Sequence, residues 1–226
     1  MSSPTPKSSH SGEPPAKRRV GRPSRYADAR GAILRAALDL FSERGYEATS
    51  IIEVAAWADV PKATLLYYFS SKEELWRAAV DAHWAEVEAY YATRTPADLP
   101  RTRGGLEHAL RAFFECCQNF PGYTRIPALE GGAQNWRSAW IAERHLRPHM
   151  RAFRAFMADL SDAGIIKTVD PLALQIMIGG LGHLFFGQVS LWTAVDGRAR
   201  TMDEVQQSFI DSVMALLCRE GESAFS

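Results

Sequence analysis

Val60-Pro61-Lys62-Ala63-Thr64-Leu65-Leu66-Tyr67-Tyr68-Phe69-Ser70-Ser71-Lys72-Glu73 is the stretch whose reading decides the fold. Leu65 and Phe69 are four apart, so they share one helical face and can be buried. Lys62, Ala63, Thr64, Tyr67 and Tyr68 then project outward. A cation, a small residue, a hydroxyl and two phenols can meet phosphates and base edges, and they have no obvious use in a core. Upstream, Ser50-Ile51-Ile52-Glu53 fits a capping box. It opens a short helix from Ile51 to about Ala58, with Val54, Ala55 and Ala58 inward. Asp59-Val60-Pro61 makes a tight turn, because Asp tolerates a left-handed backbone and Pro is favoured at the first helical position. Two short helices joined by such a turn are the helix-turn-helix signature.

Toward the N-terminus, a helix is expected from about Tyr26 to Arg44. Ile33, Ala37, Leu40 and Phe41 form its inward stripe, and Gly45 ends it. Residues 1–25 are rich in Ser and Pro and carry six basic residues against one acidic, a charge of +5. They read as a disordered basic arm. Gly21-Arg22-Pro23 within it resembles an AT-hook core, whose Arg22 would enter a narrow minor groove; a plain tail touching phosphates is the alternative. Tyr26 to Leu75 has five basic and eight acidic residues, a charge of −3, within a chain whose net charge is zero. The arm is therefore expected to supply much of the general attraction to phosphate.

Toward the C-terminus, Ser71-Lys72-Glu73-Glu74 reads as another capping box opening a helix to about Thr93. A cation in a first turn opposes the helix dipole, so Lys72 is expected to serve a phosphate instead. Residues 95–105 form a linker. Further helices are expected over Leu106–Asn119, Tyr123–Leu129, Gln134–Ala163 with a kink at Pro148, Pro171–Trp192 after the Asp170 cap, and Met202–Arg219. No segment alternates like a strand, so the fold class is all-α. Leu172 to Trp192 is apolar nearly all round. Gln175, His183, Gln188, four glycines and the lack of basic flanks argue against a membrane span. A helix buried on both sides fits better, one side on its own core and the other on a second subunit. Three cysteines imply no disulfide framework, and no signal peptide is visible, so a cytoplasmic setting is expected.

Gly45-Tyr46-Glu47-Ala48-Thr49-Ser50, Val54-Ala55, Val60, Thr64-Leu65, Tyr67, Phe69 and Ser71-Lys72-Glu73-Glu74-Leu75 together resemble the DNA-binding domain of the TetR family. The resemblance implies a helix-turn-helix domain over 26–75 and an effector-binding and dimerisation domain over 76–226. It implies a regulator, a repressor by family default, that binds double-stranded operator DNA of near-palindromic sequence as a homodimer. Its last two long helices, about 172–192 and 202–219, would pair across the dimer, and a small-molecule effector would release the DNA. Candidate DNA-contacting residues are Arg22, Thr49, Ser50, Lys62, Ala63, Thr64, Tyr67, Tyr68 and Lys72. Asp59, Ala63, Leu66, Tyr68 and Ile52 depart from the family pattern. A narrower resemblance, through Leu65 to Phe69, Phe120-Pro121 and Val169 to Leu172, is to the pyrimidine-utilisation regulators of that family. It implies a nucleobase-like effector. Gly179 and His183 depart from that branch and point to a larger pocket or another ligand.

An effector pocket needs apolar walls and a few polar groups. Candidates are Trp76, Trp84, Phe113, Trp136, His183 and Phe186. Arg125 and Glu130 read better as a structural ion pair than as ligand contacts. His145 and His149, four apart, raise a metal site, but Arg144, Arg147 and Arg151 beside them would make the surface cationic, and neither Cys-x-x-Cys nor His-Glu-x-x-His occurs. No cofactor motif is present. The rival readings are a metal- or redox-responsive regulator and, from another class, a helical enzyme. The enzyme reading lacks both a phosphate loop and a Gly-x-Ser-x-Gly elbow.

Overall fold

The computed structural model describes residues 28–132, 134–198 and 200–219, without the side chains of six residues between 185 and 196. The basic arm and Arg22 lie outside the described residues, as does the side chain of Phe186. The elements are α1 (Ala29–Ala48), α2 (Ile51–Trp57), α3 (Lys62–Tyr68), α4 (Lys72–Arg94), α5 (Arg103–Asn119), α6 (Gly122–Glu130), α7 (Trp136–Ile141), a π-helical turn (Ala142–Leu146), α8 (Arg147–Asp162), α9 (Pro171–Asp196) and α10 (Met202–Leu217).

Gly45 breaks α1 with φ 80°, ψ 170°, a conformation a side chain would strain, so the regular helix stops where the sequence places its end. α5 starts three residues before the expected Leu106, because Thr102 caps it by accepting from Gly105 N at 3.1 Å. The expected kink at Pro148 is a wide turn just before it. Proline cannot donate to the carbonyl four residues back and crowds it, and the Ala142–Leu146 π turn takes up the misfit. Asp170 caps α9 through Ala173 N at 2.7 Å, with Pro171 behind it.

Two buried clusters result. The first joins α1–α4 to α6 and α7 and includes Ile33, Leu40, Leu65, Leu75, Trp76 and Ile126. The second joins α5, α8, α9 and α10 around Leu106, Phe114, Leu160 and Ile210. Strand-like pairing is confined, among the described residues, to one bridge, Ile166 with Cys218. There Lys167 N donates to Leu217 O at 2.8 Å and Arg219 N to Ile165 O at 3.2 Å. No helix among the described residues is long and apolar enough to cross a membrane. α9 buries Leu174 and Ile178 on its own protein, while Leu172, Ile176, Met177 and Leu184 are about half exposed or more. Leu216 of α10 is 65% exposed.

Candidate functional site

Local chemistry builds the reading unit. Ser50 Oγ accepts from Glu53 N at 3.2 Å and Glu53 Oε2 accepts from Ser50 N at 2.9 Å, which closes the capping box of α2. Those hydrogen bonds hold the Glu53 carboxyl below its ordinary range. Asp59 then takes φ 52°, a left-handed turn, and Pro61 stands one place before the first helical residue of α3, as its cap. Leu65 and Phe69 are buried below α3. Above it Lys62, Ala63 and Tyr67 are exposed, Tyr67 to 83%, and Thr64 and Tyr68 are half-buried. Tyr68 lies edge-on to Tyr67 at 5.2 Å. Ile52, Trp57 and Leu66 are also exposed.

Thr49 does not belong to this outward set. It is buried, and its hydroxyl donates to Gly45 O at 2.9 Å and Leu40 O at 3.2 Å, which ties the chain just before α2 back onto the end of α1. Ser50 is exposed, but its hydroxyl is committed to the cap. Ser71 caps α4 as expected by accepting from Glu74 N at 3.0 Å. The Glu74 carboxylate reaches Ser70 instead of Ser71, accepting from Ser70 N at 2.8 Å and its hydroxyl at 2.6 Å. Lys72 Nζ lies 4.2 Å over the Tyr46 ring and donates to Glu47 O at 3.4 Å. Its charge is thus held against α1, half-buried at the foot of α4.

α4 connects this unit to the rest of the chain. Trp76 meets Trp136 and Trp140 edge-on at 5.2 and 5.4 Å, and Arg77 lies over both indoles. Arg137 lies 4.4 Å over Tyr46, pairs with buried Glu130 at 2.7 Å and reaches Glu47 at 3.0 Å. The expected Arg125–Glu130 pair is therefore replaced by Arg137–Glu130, since Arg137 alone of the two lies beside the buried carboxylate. Trp76 and Trp136 belong to this packing, not to a pocket.

Further along α4 a cavity of about 470 Å³ opens between α4, α5, α8 and α9. Trp84 and Phe113 line it. His183 does not; it borders a separate recess of about 180 Å³ with Cys117 and Arg125, where its Nδ1 is buried without a hydrogen bond. Gly182 explains the close approach there: a Cβ would stand 3.0 Å from Cys117 Sγ. His145 and His149 do line the cavity, rather than a cationic surface. His145 stacks on Trp84 at 4.8 Å and places Nε2 3.1 Å from Asp81 of α4. Burial pushes its imidazole below the ordinary range against the pull of Asp81. Three or more metal-ligating side chains do not cluster anywhere among the described residues. The three cysteines are free and buried, and burial pushes the Cys116 thiol up to about 12.

Residues 33–79 match the bacterial regulatory proteins of the tetR family. The chain is 32% identical over 215 residues to the HTH-type transcriptional regulator RutR of Escherichia coli (strain K12), covering 88% of this chain and 97% of that one. The chain belongs to the TetR family. The HTH-type transcriptional repressor Rv3405c of Mycobacterium tuberculosis is 35% identical over 85 residues, 38% of this chain and 45% of that protein. The ketosteroid transcriptional regulator KstR2 of Mycobacterium tuberculosis has the same fold, with a TM-score of 0.62 at 21% identity over 84% of this chain and 95% of that one. An HlyIIR mutant structure aligns with a TM-score of 0.66 at 19% identity over 87% and 99% of the two chains. The TetR-family relatives are transcriptional regulators, and this chain is a RutR-like member among them.

Proposed function

We propose that this TetR-family regulator binds a near-palindromic operator as a homodimer, represses, and is released by a small molecule held in the α4–α9 cavity. The observation that carries this reading is the placement of α4. One end of that helix begins at the reading unit, and its middle, through Trp84, forms a wall of the cavity. A ligand that prefers one placement of α4 changes DNA affinity by its differential affinity for the two states. Lys62, Thr64 and Tyr67 are assigned to base or phosphate contacts, with Tyr68 and Lys72 on the backbone; the arm of 1–25 adds general attraction. Thr49 is left out because its hydroxyl is spent internally. The dimer is assigned to α9 and α10, whose uncovered apolar faces want a second copy. The division at Leu75 is kept for function, although the first buried cluster crosses it to reach Trp84, Ile126 and Ile141. A small-molecule signal is favoured over a redox one because the buried Cys116 thiol yields little thiolate near neutral pH.

Fluorescence anisotropy of the full chain against duplex DNA from upstream of its own gene tests this, with sedimentation giving the stoichiometry. Tight, salt-sensitive binding of one dimer per site is the expected result. A dimer that fails to bind at low salt would overturn the DNA-binding assignment, and a monomer at micromolar concentration would overturn the α9–α10 interface.

A further inference from the structure

The cavity's size, shape and charge identify the kind of molecule it suits, given the regulator reading above. A cavity of roughly 150 Å³ is enough to take benzene. At about 470 Å³ this one has about three times that room, and a single-ring nucleobase would leave most of it empty. It is also long. Along α8 the lining runs from His149 to Met157, along α4 from Trp84 to Tyr91, and along α5 from Leu106 to Cys116. At 1.5 Å per residue these are stretches of about 10–15 Å.

The lining is of two kinds. Leu106, Leu110, Met157 and Leu174 belong to the second buried cluster, with Phe153 and Phe156 packed on it. At the Trp84 end, Tyr123 and His145 stand 5.6 and 4.8 Å from the indole, and Glu88 is near enough to act on both His149 and Tyr123. Among the described lining residues there is no Lys or Arg, and Glu88 supplies the formal charge. Arg101 stands nearby, over the Phe156 ring at 5.3 Å, but it pairs with Asp159 at 3.0 Å and does not line the cavity. Loss of water around the ring pushes the His145 imidazole down, and does the same to His149 against the pull of Glu88. Both are therefore neutral near pH 7. A carboxylate or phosphate inside would lose its water without gaining a cation, which is strongly unfavourable.

We infer that the cavity takes an uncharged, elongated and largely apolar molecule about three rings long, with a hydroxyl or carbonyl group toward His145 and His149. Neutral imidazoles and the half-buried Tyr123 phenol offer that group both donors and acceptors. An anionic ligand of the same size is rejected by charge, and a free nucleobase by size.

The test uses the full chain without DNA, reading quenching of tryptophan fluorescence, since Trp84 is in the wall. The probes are 2-hydroxyanthracene, anthracene-2-carboxylate and uracil. Expected is micromolar binding of the hydroxy compound, at least tenfold weaker binding of the carboxylate, and no saturable binding of uracil. His149→Arg adds a cation to the polar end and should narrow the gap between the two anthracenes at least fivefold by raising carboxylate affinity. Equal or tighter binding of the carboxylate by the unmodified protein, saturable uracil binding, or no binding of the hydroxy compound would each overturn the inference. Because DNA is absent, failure here leaves the DNA-binding assignment standing, and failure to bind DNA leaves this result standing.

Discussion

The two buried clusters are made of different materials. The first, around α1–α4, is closed by rings and charges fitted to one another: three indoles in edge contact, Arg77 over two of them, and Arg137 and Lys72 over Tyr46. The second is built mostly of Leu, Ile, Met and Phe, and beside it lies the open cavity. Directional contacts hold a surface in one shape, which a DNA reader needs. Non-directional apolar contacts tolerate rearrangement around a guest. On the proposed function, the molecule separates a part that keeps its geometry from a part that yields.

The largest expected effect breaks the first cluster. Arg137→Met leaves Glu130 buried without its partner, and should cost about 3–5 kcal/mol in urea denaturation. Adding Glu130→Leu should restore much of that. If the single change costs under about 1 kcal/mol, the network is ornamental and the contrast with the second cluster weakens. Next is His83 of α4, whose ring nitrogens are both buried without a hydrogen bond and whose imidazole burial pushes down to about 4 from 6.5. As pH falls from 6.5 to 4 the unfolded chain binds the proton and the native state does not, so stability falls through that window. The full difference is about 3 kcal/mol. His83→Leu should flatten this part of the slope, read as the gap between urea midpoints at pH 7 and pH 4.5. An unchanged gap would mean the ring is hydrated in solution.

A paired substitution sharpens the comparison itself. Ala79→Leu adds bulk to the closed cluster and should cost about 1–3 kcal/mol, whereas Ala109→Leu projects into the cavity and should change stability by under about 0.5 kcal/mol. Equal costs would mean that the cavity is not open in solution. The smallest effect is electrostatic. Lys72→Ala should weaken binding to all DNA sequences alike and reduce the slope of log affinity against log salt by about one. An unchanged slope would confine Lys72 to its place over Tyr46.

The same division governs what the sequence makes legible. The reading unit rests on signals within a few residues: a capping box, a left-handed Asp, apolar residues four apart. Its helices accordingly fall where the sequence places them. Thr49 reads as outward in the sequence because its acceptors, Leu40 O and Gly45 O, come within reach only through the break of α1 at Gly45. Glu130 was given Arg125, its near neighbour, when folding brings Arg137 to it. The cavity draws on α4, α5, α8 and α9, so no window of sequence contains it. His145 and His149 read as part of a cationic surface, because the wide turn before Pro148 alters the helical register on which a face assignment rests. Five apolar or aromatic candidates in a chain this rich in both could not be sorted by type alone: Trp84 and Phe113 reach the cavity, Trp76 and Trp136 fill a core.

The short bridge between Ile166 and Cys218 has a dynamic consequence. Lys167 and Arg219 lie outside the helices, yet their amides are spent on Leu217 and Ile165. In hydrogen–deuterium exchange these two amides should behave as a latch. They open together with the end of α10, and a ligand that braces Leu217 in the cavity wall slows both.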